Sequence, residues 1–237
     1  ASNGGGGRQM HGALTIANSA GSGNTATTGN GGGIHNRGPL TITNSTISGN
    51  TATGNGGGVY HESGDLLVAN VTITGNRASV GFGGGLSFDG GSVTLNNSIV
   101  AGNFRGSLAA PSDIEGNVDV ANHNLIGDPD SSGNITDGSD GNIVGQDDGN
   151  ELLDINTVLD TTLRNNGGPT LTHQLVFGSR AIDAGDNDLI PPDTFDLDGD
   201  NAQELVPFDQ RGIGFPRVAS TTVDIGAFEL RSFDFGD

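Results

Sequence analysis

Carboxylates at alternate positions mark the most chemically pointed stretch of this sequence, Asp196-Leu-Asp198-Gly-Asp200-Asn-Ala-Gln-Glu204. A loop turning through such a segment can wrap hard oxygen ligands around one Ca2+, which takes about six to eight of them. The spacing departs from an EF-hand loop, because Gly199 stands fourth instead of sixth and Glu204 ninth instead of twelfth. Asp183, Asp186 and Asp188 lie just upstream and could form a second cation site or complete the first. A further group, Asp209, Arg211, Arg217, Asp224 and Glu229, sets opposite charges on short neighbouring segments. Carboxylate–guanidinium pairs that lock a cap explain that group better than a catalytic acid/base pair does. His35 and His61, 26 residues apart, read as a surface polar stack more readily than as a metal pair. Counted from the neighbouring glycine triplets, the two are offset by one.

These groups sit in an unusual chain. It has 43 Gly, 24 Asn, no Cys and a net charge of −19. Without Cys there are no disulfides, thiolate zinc sites or thiol nucleophiles. A chain this acidic, whose nine basic residues are all Arg, is a poor partner for nucleic acid, where Lys and Arg supply the affinity. Apolar runs of a few residues fall far short of the ~20 that a membrane-spanning helix needs. The acids are unevenly placed: residues 1–104 hold three of them, Glu62, Asp65 and Asp89, and residues 105–237 hold the other 25.

The element that must position all this is a repeat. Leu14-Thr-Ile-Ala-Asn18-Ser, Leu40-Thr-Ile-Thr-Asn44-Ser, Leu66-Leu-Val-Ala-Asn70-Val and Val93-Thr-Leu-Asn-Asn97-Ser recur at 26, 26 and 27 residues, with a weaker copy at Asn124. A glycine triplet precedes each strong copy, and Gly-Asn follows it. Alternating apolar residues with many Thr, Val and Ile, bounded by Gly and Asn, read as short strands. A 26-residue unit of two or three such strands is one coil of a parallel β-helix, in which equivalent residues stack at ~4.8 Å. Stacked turns predict two amide ladders, one of Asn18, Asn44, Asn70 and Asn97 and one of Asn24, Asn50, Asn76 and Asn103. The fold expected is all-β: regular coils over 1–127, then degenerate coils, acidic loops and an irregular C-terminal cap over 128–237, continuous with the same solenoid.

Asn165-Asn-Gly-Gly-Pro-Thr-Leu-Thr-His173, Gly178-Ser-Arg-Ala-Ile-Asp183-Ala-Gly-Asp186, Asp209-Gln-Arg211-Gly and Val223-Asp-Ile-Gly-Ala-Phe-Glu229 together resemble bacterial β-helix surface proteins of the choice-of-anchor Q domain type, related to polymorphic outer-membrane-protein-like repeats. The resemblance implies a right-handed parallel helix and a secreted, processed, extracellular or cell-surface location, and it implies no reaction. The function expected is therefore structural and non-enzymatic, stabilised by Ca2+. An open first coil and the tail carrying Phe233 and Phe235 suggest self-association end to end into filaments. The alternative is a carbohydrate-binding or polysaccharide-degrading β-helix, with extracellular polysaccharide as partner. An open groove lined by three or more acids with an Arg would favour catalysis, and a polymer or ordered sheath would favour structure.

Overall fold

The computed structural model describes residues 12–146, 149–200 and 204–231, in which four sheets of stacked strands form a parallel β-solenoid. Each coil contributes four strands where the sequence suggested two or three. One coil runs Ile34–Asn36, Leu40–Thr43, Thr46–Ser48 and Thr51–Ala52, and the next repeats it as Val59–His61, Leu66–Ala69, Thr72–Thr74 and Arg77–Ala78. Two-residue strands such as Thr51–Ala52 are too short to show alternation, which is why the pattern hides them. Register follows the repeat: Leu14, Leu40, Leu66 and Val93 pair in succession, as do Ile16, Ile42, Val68 and Leu95. Their side chains fill the solenoid interior with Ile34, Ile47, Val59, Ile73 and Leu86. Equivalence by sheet pairing sets His35 on Tyr60 and His61 on Phe88, so the two histidines are one position out of step and do not stack.

The corners are set by backbone conformation. Asn18, Asn44, Asn70 and Asn97 all take the left-handed conformation, with φ between 45° and 53°, a region that Asn tolerates better than other side chains. His123, at φ 52°, occupies this corner in the next coil. Asn124, which the sequence had placed there, instead accepts a hydrogen bond from the Ser98 N–H at 3.0 Å. The glycine triplets stack so tightly that a Cβ on Gly32 would lie 2.2 Å from the carbonyl oxygen of Gly57.

The two ladders differ. Asn24, Asn50, Asn76 and Asn103 form a continuous one: each Oδ1 accepts both the N–H and the Nδ2 of the residue one coil earlier, at 2.9–3.1 Å. In the other set, Asn44 donates to Asn18 at 2.5 Å, and the chain of amides goes no further. Asn44 turns to the carbonyl of Phe208, Asn97 exchanges two bonds with the backbone of Asp186, and the buried Asn70 amide has no hydrogen-bond partner among the described residues. The physical reason is a segment packed against this corner from outside, which competes for the side chains.

That segment follows the last stacked strand. Parallel pairing ends at Ile143–Val144, and the residues from Leu153 onward lie along the flank of the coils. Gln210 receives the Thr46 hydroxyl at 2.6 Å, His173 meets the Ser48 hydroxyl at 2.8 Å, and the Ala227 and Gly226 N–H groups donate to Thr72 and Asn97. Three consecutive coils are thus bridged. A second hydrophobic core forms beneath the segment, where outward-facing Ile99 and Leu125 meet Leu153, Leu159, Leu175, Ile225 and Phe228. The sheet containing Thr46–Ser48, Thr72–Thr74 and Ile99–Val100 is consequently buried on both faces.

Candidate functional sites on the flank

In the acidic loop, Asp196 takes a left-handed turn at φ 52° and Gly199 another at φ 80°. These turns gather carboxylates into two overlapping triads, Asp196–Asp198–Asp200 and Asp193–Asp198–Glu204, each with ligand oxygens within 4.8 Å of one another. Asp198 is common to both. The sequence pattern missed Asp193, since it lies outside the alternation; its buried carboxylate anchors the loop by accepting the N–H groups of Phe195 and Leu197. Glu204 keeps one shielded oxygen without a hydrogen-bond partner among the described residues. Partial desolvation, followed by the charges of Asp200, Asp198, Asp193 and Asp196, raises its carboxyl above the ordinary range. This is the environment a hard divalent cation relieves. Asp183, Asp186 and Asp188 join neither triad among the described residues. Asp183 accepts the Ser220 hydroxyl, and Asp186 caps a short 3-10 turn through the Asp188 N–H.

The five charged residues expected in a cap do converge, buried beneath the flanking segment. Arg211 grips Asp209 at 2.7 Å and lies between the rings of Phe215 and Phe228, at 4.1 and 3.7 Å from their centroids. Arg217 reaches Glu229 at 3.1 Å and also donates to Asn44 and to the Gly226 carbonyl. Three carboxylates face two guanidiniums here. Burial, then the neighbouring Glu229 charge, pushes the Asp224 carboxyl up to about 7. These groups are bonded chiefly to one another.

No family model, curated protein or solved structure matches the chain. Its chemistry is therefore read from its own geometry, which holds two arrangements the sequence had not assembled. In the coils, His35 contacts Glu62 at 3.2 Å and the Tyr60 ring edge-on at 4.9 Å, Arg37 pairs with the same Glu62, and Tyr60 bonds to Asp89. Burial first, then that bond, raises the Tyr60 hydroxyl to about 12. Two of the three acids in the regular coils are thus committed to the sheet surface.

The other arrangement arises where the solenoid breaks step. Phe104–Arg105 turns back on Ala110–Pro111 as an antiparallel hairpin, and a groove of about 460 Å3 opens beside it. Glu115, Asp128, Asp130 and Arg105 line this groove, with Phe82 and Leu152, so it has the three acids and an Arg set out above as the lining that would favour catalysis. Its acids and Arg come from three separate segments, so spacing could not reveal them.

Next to the groove lies the end of the amide ladder. Asp113 takes the place of a further Asn: one carboxylate oxygen accepts the N–H and Nδ2 of Asn103 at 3.0 and 2.8 Å, and the other accepts the Asp128 N–H at 2.8 Å. Full burial pushes its carboxyl up to about 7. Because that value lies above the unfolded one, the folded state holds the proton more tightly. The stability this confers is complete at acid pH and is lost as pH rises toward 7. In Asp113→Asn the amide keeps the Asn103 bonds but turns a donor toward Asp128. We expect the variant to be less stable than wild type at pH 5, with the gap closing by about 2–3 kcal/mol by pH 8. Urea unfolding across that range checks this, and parallel pH profiles would refute it.

Proposed function

We propose that the chain is a non-catalytic structural element of an extracellular or cell-surface layer, a β-solenoid stabilised by Ca2+. The observation that carries this is the flanking segment. Its conspicuous charged residues, Asp209, Arg211, Arg217, Asp224 and Glu229, are buried and bonded to one another, while Arg217 with Gln210, Gly226 and Ala227 fastens three coils together. The four motifs that resemble the choice-of-anchor Q domain type all fall within this segment, which supports that affiliation and the secreted location it implies.

Ca2+ fits the acidic loop by donor type and by crowding, with Asp193, Asp196, Asp198, Asp200 and Glu204 as its protein ligands. Bound there, it would offset repulsion in a chain of net charge −19. End-to-end association belongs to the same proposal. Its strand edge would be Leu14–Ala17 and Ala20–Ser22, which have no strand on their outer side among the described residues. Gly4, Gly7, Phe233 and Phe235 lie outside the described residues.

Melting and light scattering test both parts. Ca2+ at about a hundred times its Kd adds about 2.7 kcal/mol, or roughly 5–10 °C in Tm for a chain this long. Asp198→Asn, which damages both triads, abolishes that gain, and Asp188→Asn preserves it. A melting curve of metal-free protein that saturating Ca2+ leaves unchanged rejects the calcium role. A monomer at high concentration with Ca2+ present rejects the polymer.

A further inference from the structure

We infer that the groove beside the 104–111 hairpin binds a neutral saccharide chain. The inference is independent of the structural role. At about 460 Å3 the groove is within the usual size of small-ligand sites. Two further recesses adjoin it: one of about 250 Å3 shares Arg105 and Ala110 with it, and one of about 360 Å3 shares Pro111 and Leu152. A track of this kind suits a chain of linked units better than a single compact molecule.

The lining supplies what a polyol needs. Arg105, Glu115 and Asp130 are exposed and, among the described residues, enter no ion pair, in contrast to the buried pairs of the flanking segment. Carboxylates accept hydroxyl protons and a guanidinium donates to hydroxyl oxygens, so both halves of a sugar's hydrogen-bonding capacity find partners. Phe82, 46 % exposed with the Arg105 guanidinium 4.7 Å from its ring centroid, and the rings of Pro111 and Pro129 offer apolar surface for the C–H faces of a pyranose.

Charge and backbone narrow the ligand. Glu115, Asp128 and Asp130 outnumber Arg105, so uronic or sulfated chains are repelled. An extended basic peptide would be drawn by that charge, but the adjacent edge strand Ala110–Pro111 is ill suited to receive it. Pro111 has no N–H to give an added strand.

The test is retention of the full chain on an array of neutral, uronic and sulfated glycans, with an alternating Leu–Lys peptide alongside. Neutral oligosaccharides are expected to bind and the anionic glycans to be excluded. Arg105→Ala and Glu115→Gln, both at exposed positions, each weaken binding about tenfold, the loss of one charge-assisted hydrogen bond, with Tm unchanged. Asp188→Asn, away from the groove, leaves binding intact. The proposal is overturned by failure to retain any neutral glycan, by tighter binding of uronates or of the Leu–Lys peptide, or by binding indifferent to both groove substitutions.

Discussion

Arg217→Met should destabilise the fold by about 3–5 kcal/mol, because it removes one member of a buried charge network and leaves the others behind. Arg217 is 1 % exposed and satisfies Glu229, Asn44 and the Gly226 carbonyl from one planar group. It is also the cation whose charge lowers the carboxyls of both Asp224 and Glu229 against the effect of burial. For a chain of this length the loss corresponds to roughly 6–20 °C in Tm. Arg217→Lys is expected to recover little of it, since a single ammonium cannot reproduce the fork. Adding Glu229→Gln to Arg217→Met should return part of the stability by removing the stranded charge. Thermal melts of the four proteins decide the matter. A single mutant within about 2 °C of wild type would mean that the network is ornamental to the fold.

The second large effect is expected inside the amide ladder. In Asn76→Leu the N–H and the Nδ2 of Asn50 both lose their acceptor, and the Ile47 carbonyl loses a donor. Each buried group left unsatisfied costs about 1–3 kcal/mol, so the variant should lose at least about 3 kcal/mol. Asn70→Gly provides the contrast. Its side chain makes no hydrogen bond among the described residues, and glycine accepts the φ of 53° without strain. We expect the Asn70 variant to unfold in urea within about 1 kcal/mol of wild type, and equal losses from the two would show that the ladder bonds do not matter.

How much of this was legible depends on the range of the interaction. The coil period, the inward residues Ile34, Leu40, Ile42 and Ile47 and the left-handed Asn corners are written locally, because each strand pairs with its own equivalent one coil away. Which amides form a ladder was not legible. Asn70 and Asn76 have the same residue type and the same period, and they differ in that Asn76 meets its equivalents in both neighbouring coils while the neighbours of Asn70, Asn44 and Asn97, bond to the flanking segment. The charged motifs from Asp209 to Glu229 read correctly as mutual partners, yet nothing local placed them against Asn44, 173 residues from Arg217 in sequence. Asp193 escaped because it lies before the alternating acids and enters their cluster through a turn. The groove escaped for the same reason: Phe82, Arg105, Glu115 and Asp130 become neighbours only where the hairpin interrupts the solenoid.

A bare solenoid is a one-dimensional stack, in which each coil feels only the one above and below and ends can peel away coil by coil. The flanking segment changes that dimensionality. By touching Asn44 and Thr46 in one coil, Thr72 in the next and Asn97 and Ile99 in the third, it makes the loss of any one of these coils cost contacts in the others. Those coils must open together, as a single cooperative block. The coil of Leu14–Ala17, Ala20–Ser22 and Thr25–Ala26, joined to it mainly through strand pairing, keeps the behaviour of an ordinary repeat and is free to fray. Because Phe208, Gln210, Arg217 and Ala227, which hold Asn44, Thr46 and Thr72, follow all the coils in the sequence, the block closes fully only once they are made, and a ribosome-bound fragment ending before residue 208 would be held only by earlier contacts such as His173 on Ser48 and Asp186 on Asn97.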